Sequence, residues 1–168
     1  MRRLAMLGFG LALTLTFTVA ACGGSGGKQA VDQATRAQAD RYAIEQIEAT
    51  WHKASSTHDV NLMMTLWAPD ATFGVGAETL TGKAEIRSFF VHKVAPFQPE
   101  NRWISETPAY KIRVTVNGDK GTLYFQCVYV DMKTGKVKSV VAADQNVQKI
   151  DGKWLITSSA ASPSTLGA

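Results

Sequence analysis

The hydrophobic periodicity of the chain changes once along its length, from a helical repeat to a strand repeat near Pro99. In the first half, four apolar residues recur at offsets of three or four positions and therefore share one face of a helix. They are Ile44, Ile47, Trp51 and Ala54. After Pro99, apolar and polar residues alternate, which is typical of half-exposed strands. Helices followed by consecutive strands predict an α+β fold.

Capping and terminating residues divide the first half into three predicted helices. The first helix begins near Val31. Asp59 can cap a second helix, which covers Val60–Trp67 and stops before Pro69. The third helix is predicted over Lys83–Val94.

The second half contains four long predicted strands, after a short strand at Thr72–Phe73. The long strands are Tyr110–Asn117, Leu123–Asp131, Lys136–Ile150 and Trp154–Ser159. Asp151-Gly152 lies between the last two and is typical of a two-residue hairpin turn. We therefore expect consecutive antiparallel strands.

Three segments are similar to the NTF2-like superfamily, and in particular to its SnoaL-like branch. They are Leu66–Phe73, Leu80–Ile86 and Asp151–Ile156. The resemblance implies a cone, in which a curved antiparallel sheet wraps around three helices and encloses a pocket. It places the domain at residues 39–160, with a tail at 161–168. Members of the superfamily include isomerases, cyclases, dehydratases and transport factors, so the fold leaves the activity open.

The first 21 residues have the pattern of a secretory signal peptide, with a basic start and an uncharged run over Leu4–Ala21. Val19-Ala20-Ala21-Cys22 resembles the bacterial lipobox, in which the Cys receives a lipid after cleavage. We therefore expect a lipoprotein, anchored through Cys22 to the outer side of the bacterial cell membrane. Residues 22–38 would be the lipidated Cys and a flexible, Gly-rich tether. A retained membrane anchor and plain secretion are the alternatives.

The charge of the chain argues against a nucleic-acid partner. The formal charge is +4, and removal of residues 1–21 takes away Arg2 and Arg3 and leaves +2. No basic patch with interleaved aromatic residues remains, so nucleic-acid binding is not expected.

The residues needed for isomerase chemistry are absent from their expected positions. Where ketosteroid isomerases of the superfamily carry a general-base Asp this chain has Val75, and where they carry an oxyanion-hole Tyr it has Trp51. Abstraction of a proton next to a carbonyl needs a base of suitable pKa within hydrogen-bonding reach. Asp144, in a polar stretch of a predicted strand, is the best alternative carboxylate.

Nine residues are predicted to line the pocket if the cone is hollow. The aromatic candidates are Trp51, Trp67, Phe73, Phe90, Trp103 and Tyr124, and the polar candidates are Gln126, Asp144 and Asn146. Asp144 and Asn146 share one face of their strand, because alternate residues point the same way. That face points into the pocket in one alternative and outward, to solvent or a second copy, in the other.

The His and Cys residues of the domain predict neither a metal site nor a cofactor. His52 is expected to be exposed on the first helix, His58 to belong to a turn, and His92 to lie near the end of the third helix. No two of them have the spacing of metal ligands on one helix. Cys127, in an apolar strand, is expected to pack as a small hydrophobic residue.

Three functions are open to such a domain. The first, which we predict, is a non-catalytic module that binds a small apolar or amphipathic molecule. The second is an isomerase, cyclase or hydrolase that uses Asp144. The third is a protein-interaction module or homodimer formed through the sheet, for which the polar candidates are Gln145, Gln148 and Lys149.

Overall fold

The computed structural model describes residues 25–105 and 110–164, so the predicted signal peptide and Cys22 lie outside the described residues. The described residues form three α-helices, a 3₁₀ turn and a seven-stranded sheet. In chain order these are α1 (Ser25–Ser56), α2 (Val60–Met64), β1 (Trp67–Val75), β2 (Glu78–Thr81), α3 (Gly82–Lys93), the 3₁₀ turn Ala95–Phe97, β3 (Trp103–Ser105), β4 (Tyr110–Asn117), β5 (Lys120–Asp131), β6 (Val137–Ile150) and β7 (Lys153–Pro163). Within this part of the chain, no helix is long and apolar enough to cross a membrane.

The sheet has the strand order β2-β1-β7-β6-β5-β3, and β4 also pairs with β5. The α+β class predicted from the sequence is confirmed. The sheet is mixed, however, whereas the sequence predicts a wholly antiparallel one: β1 and β7 are parallel neighbours. The chain leaves α2 running in the direction of β7, and the pairing begins where the Ile156 N–H donates to the Leu66 carbonyl at 2.8 Å.

Irregular pairing at four places bends the sheet around α1. The register shifts between β1 and β7 after Trp67, between β4 and β5 near Lys111, between β5 and β6 next to Val130, and between β6 and β7 at Thr157. Bulges of this kind bend a strand and increase its local twist. As a result α1 contacts β3, β4, β5 and β7, and a wide face of the helix is buried.

Two element ends lie outside their predicted positions. α1 begins at Ser25 rather than near Val31, so residues 25–38 are helical where the sequence predicts a flexible tether. The alanine-rich part of this segment favours a helix. β7 continues to Pro163, beyond the predicted end at Ser159, because it pairs with β6 along its whole length.

The second helix is shorter than predicted. The predicted N-cap is confirmed, since Asp59 Oδ1 accepts a hydrogen bond from the Leu62 N–H at 2.8 Å. α2 nevertheless ends at Met64, and Trp67 begins β1. Pro69 is tolerated in β1 because it lies where the pairing with β7 is interrupted, so no ladder hydrogen bond is required from it.

Asp40 joins α1 to the β6–β7 hairpin. Its Oδ1 accepts hydrogen bonds from Lys149 Nζ at 2.7 Å and from Trp154 Nε1 at 2.9 Å. The hydrogen bond from Lys149, followed by that from Trp154, holds the pKa of the Asp40 carboxyl below its usual value. This contribution to stability is present above the pKa of the unfolded carboxyl and is lost as the pH falls through the folded-state pKa. Lys149 is therefore engaged within the domain, whereas the sequence makes it a candidate for partner contacts.

Candidate functional site

A cavity of about 280 Å³ lies between α1, α3 and the inner face of the sheet. Its wall is mostly apolar, and six of its residues are aromatic. The aromatic lining residues are Trp51, Phe73, Phe89, Phe90, Trp103 and Tyr129. Exposed lining residues, among them Lys93 and Ser162, mark its opening between the end of α3 and the end of β7. The cone is therefore hollow at this end.

Five of the six predicted aromatic pocket residues lie on the inner side of the sheet. Trp51, Phe73, Phe90 and Trp103 line the cavity. Trp67 is buried behind this wall, with its ring centroid 5.9 Å from that of Trp51, and does not line the cavity.

The predicted polar pocket residues lie on the outer face of the sheet, so their prediction as pocket-lining residues is wrong. Asp144 and Asn146 are exposed, while Ala143 and Gln145 point inward from the same strand. The extra residue of the β6–β7 bulge belongs to β7, so the alternation along β6 from Ser139 to Val147 is unbroken. Asp144 therefore cannot act on a ligand inside the cavity.

Tyr124 and Gln126 also lie on the outer face and do not line the cavity. Tyr124 pairs with Asp144 across β5 and β6, and the Arg113 guanidinium lies 3.8 Å from the centre of its ring. Gln126 Nε2 donates to the Tyr124 hydroxyl at 3.0 Å and to Ser164 Oγ at 3.2 Å. Their alternation with the inward-facing Cys127 explains this placement.

A buried polar cluster connects α1 to the cavity wall. His52 Nε2 lies 3.1 Å from Cys127 Sγ, and His52 Nδ1 lies 3.0 Å from Glu48 Oε1. All three residues are buried, and Cys127 lines the cavity. His52 is thus not exposed as predicted, because the curved sheet covers α1 beyond its apolar stripe. The sequence signal for this cluster is the i,i+4 spacing of Glu48 and His52, which places both on one helix face.

The environment of Cys127 keeps its thiol protonated at neutral pH. Burial raises the pKa of the Cys127 thiol well above its usual value, and the nearby hydroxyls of Tyr129 and Ser105 offset this only in part. Burial likewise raises the pKa of Tyr129, whose hydroxyl lies 3.5 Å from Ser55 Oγ. The Ser105 hydroxyl is buried and makes no hydrogen bond of standard geometry.

A second group of buried polar side chains lies deeper in the cone. Trp67 Nε1, the Ser159 hydroxyl and both amide atoms of Gln145 are buried without a hydrogen-bond partner. Gln145 pairs with Ser159 across β6 and β7, on the inner face. Gln145 is therefore not available for partner contacts, contrary to the expectation from the sequence.

The remaining two His residues do not line the cavity. His58 has a φ of 57° in the turn after α1, and its Nδ1 contacts the Pro96 carbonyl oxygen. His92 is exposed in the last turn of α3. Among residues 25–105 and 110–164, no three His, Cys, Asp or Glu side chains are grouped so that they could hold a metal ion.

A curved sheet that encloses a cavity against a long first helix defines an NTF2-like cone. The model of the SnoaL-like domain family matches residues 36–160. The chain therefore belongs to the SnoaL-like domain family. No curated protein shows significant similarity to the sequence.

Solved structures of low sequence identity share the fold. An NTF2-like protein with a cystatin-like fold from Novosphingobium aromaticivorans has a TM-score of 0.68 and 19% identity, covering 83% of this chain and 91% of its own. A candidate dehydratase of the NTF2-like family from Streptomyces avermitilis has a TM-score of 0.60 and 16% identity, and the match covers 76% of this chain and 98% of the dehydratase chain. A candidate aromatic ring hydroxylase from N. aromaticivorans has a TM-score of 0.58 and 20% identity, and the match covers 75% of this chain and 90% of the hydroxylase chain. These similarities concern the fold alone.

Proposed function

We propose that this SnoaL-like domain binds a small apolar or amphipathic molecule in its cone and is held outside the cytoplasmic membrane by a lipid on Cys22. The observation that carries the binding function is the aromatic cavity of about 280 Å³. Ligand pockets are mostly apolar with a few polar groups, and their volumes run from roughly 300 to 1,000 Å³. The cavity of about 280 Å³ lies just below this range and fits a ligand of one or two rings or a short chain.

The distribution of polarity favours an amphipathic ligand. The deep wall is formed by buried aromatic rings such as Phe73 and Phe90, which exclude water from an apolar group. The opening carries exposed Lys93 and Ser162. A polar or anionic end of the ligand can remain hydrated there, beside the Lys93 ammonium group.

Neighbouring residues of β7 provide a matched test of the cavity. Ala161 lines the cavity, whereas Ala160 is exposed on the outer face. We expect Ala161→Phe to weaken binding of 1-naphthylamine at least about tenfold, a loss of about 1.4 kcal/mol, because the new ring occupies the ligand's space. Ala160→Phe should leave the affinity within about twofold. Fluorescence titration of the three proteins measures both effects.

Two results would contradict the binding function. One is an unmodified protein that does not bind the probe at all. The other is an equal loss of affinity in the Ala161→Phe and Ala160→Phe variants, which would place the bound probe outside the cavity.

The lipid anchor rests on the Val19-Ala20-Ala21-Cys22 sequence and has its own test. Expressed in its bacterial host, the unmodified chain should partition into the detergent phase of Triton X-114, and its N-terminal peptide should begin at a lipid-modified Cys22. Cys22→Ala should abolish the lipid, because the acceptor sulfur is gone, while Ser25→Ala should retain it. An unmodified chain whose N-terminal peptide carries no lipid would contradict the anchor, and retention of residues 1–21 would identify an uncleaved membrane segment instead.

The other two functions predicted as alternatives have less support. The enzymatic alternative through Asp144 is not proposed, because that carboxylate is exposed on the outer face. A homodimer through the sheet stays a prediction. Gln145 is buried and Lys149 is hydrogen-bonded to Asp40, so the contact surface of such a dimer would consist of the other residues on the outer face of the sheet.

A further inference from the structure

We propose that Cys127 is a nucleophile that accepts an acyl group from small esters or thioesters entering the cavity. His52 would act as its general base, and Glu48 as the residue that positions His52. The inference rests on the proposed binding function, because the acyl donor has to reach Cys127 through the same cavity.

The three side chains have the geometry of a nucleophile, a base and an orienting group. His52 Nε2 is within hydrogen-bonding reach of Cys127 Sγ, at 3.1 Å. On its other side, His52 Nδ1 lies 3.0 Å from the Glu48 carboxylate. A nucleophile bonded to a base that is itself held by a third group is the recurring arrangement of covalent catalysis. Here α1 supplies the base and the orienting group, and β5 supplies the nucleophile.

The cavity places this arrangement where a ligand can reach it. Cys127 lines the cavity next to Trp51 and Tyr129. His52 does not line it and lies behind the thiol, against the Phe125 ring with centroids 5.7 Å apart. A carbonyl carbon in the cavity would therefore approach Sγ from the side opposite to the base.

Ser105 does not line the cavity, but it adds a buried polar group beside the thiol. The residue is 6% exposed, and its hydroxyl has no hydrogen-bond partner of standard geometry. It lies beside the Cys127 thiol and lowers its pKa. A buried hydroxyl that remains unpaired costs about 1–3 kcal/mol, so such groups are normally paired when the site is in use.

The acyl transfer requires only these side chains and the acyl donor, and each bond and proton in it is accounted for. The Glu48 carboxylate, 3.0 Å from His52 Nδ1, would favour the tautomer with the proton on Nδ1, so that Nε2, 3.1 Å from Sγ, accepts the thiol proton. As the proton moves to Nε2, an S–C bond forms and the carbonyl oxygen becomes an oxyanion. Collapse of this intermediate breaks the bond to the leaving oxygen or sulfur, which departs into the cavity as an anion, while the thiol proton stays on His52. The products are a Cys127 thioester, an alkoxide, phenolate or thiolate that is hydrated at the opening, and a protonated His52 beside Glu48.

The pH dependence of the reaction separates this mechanism from a merely buried thiol. Burial raises the pKa of Cys127, so an unassisted thiol would react faster as the pH rises throughout the alkaline range. With His52 as general base, the rate should reach a plateau once the imidazole is neutral. The ionisable groups that the structure places beside Cys127 and His52 are Glu48 and Tyr129, and Lys53 is exposed next to His52 on α1.

The experiment treats the full chain with p-nitrophenyl acetate and follows p-nitrophenolate release and the position of the acetyl group by peptide mapping. We expect one acetyl group on Cys127, formed at a rate that rises with pH and then reaches a plateau. His52→Gln should lower this rate at least about 100-fold. Glu48→Gln should lower it and shift the pH at which the plateau is reached, since Glu48 acts through His52. Cys127→Ser should show no burst of p-nitrophenolate.

Three results would overturn the inference: no acetyl group on Cys127, an equal rate in the His52→Gln variant, or a rate that rises without a plateau. The pH profile of the unmodified chain decides the question even if the variants do not fold. The two-ring probe 1-naphthylamine is titrated into the same preparation. If the probe binds and Cys127 is not acetylated, this inference fails while the binding function stands; if the probe does not bind, the binding function fails as well.

Discussion

Replacement of Phe90 by Ala is expected to lower the free energy of unfolding by about 3–5 kcal/mol, the cost of removing a fully packed aromatic side chain. Phe90 is buried, and its ring centroid lies 5.7 Å from that of Trp51, 5.8 Å from Phe73 and 5.2 Å from Phe97. These contacts join α3 to α1, to β1 and to the 3₁₀ turn. Truncation therefore removes packing from several elements at once.

Urea unfolding, followed by circular dichroism, measures this effect. The matched control is Val91→Ala on the same helix, because Val91 is 37% exposed and faces away from the cluster. We expect the control to change the free energy of unfolding by less than about 1 kcal/mol. A loss of similar size in both variants would show that Phe90 is not the centre of the α3 packing.

The second large effect is expected at Gly121, where Ala should lower the free energy of unfolding by about 1–3 kcal/mol or more. A Cβ at Gly121 would lie 2.5 Å from the Thr115 carbonyl oxygen, 3.0 Å from Ile44 Cδ1 and 3.3 Å from Val147 Cγ2. The closest of these atoms belongs to the backbone of β4, so it cannot move away without disturbing the β4–β5 pairing. Strand propensity alone would favour Ala over Gly.

Gly74 is the matched control for this substitution. It also lies in a strand, and a Cβ there would meet its nearest atom, the Ser159 carbonyl oxygen, at an ordinary 3.8 Å. Gly74→Ala should therefore be neutral or slightly stabilising, within about 0.5 kcal/mol. Thermal unfolding of both variants compares them directly. If Gly121→Ala is as stable as the unmodified chain, the close approach of β4 and α1 to this position is not present in solution.

Local patterns in the sequence determined the class of fold and most of its elements. The change of period after Pro99 predicts helices followed by strands, and both are present. Asp59 acts as the predicted N-cap, and Asp151 and Gly152 have positive φ angles of 49° and 78° in the predicted hairpin turn. These features depend on residues within a few positions of one another, so the sequence specifies them without knowledge of the rest of the chain.

The side of the sheet on which each candidate residue lies was decided by the tertiary structure. Alternation predicts that Asp144 and Asn146 share a face, but not which face is inside. The decision depends on which strand carries the extra residue of the β6–β7 bulge, and that is β7. A bulge in β6 instead would have turned part of its polar residues towards the cavity, because one added residue reverses the alternation.

The Glu48–His52–Cys127 cluster was also decided by the tertiary structure. The sequence specifies the helix and the strand that carry these residues, and the spacing of Glu48 and His52 places them on one helix face. Contact with Cys127 spans 75 positions of the chain and exists because the curved sheet covers a wider face of α1 than its apolar stripe indicates. A local hydrophobic pattern indicates which face of a helix is buried. It does not indicate which polar residues beside that face are also buried, because that depends on the curvature of the sheet.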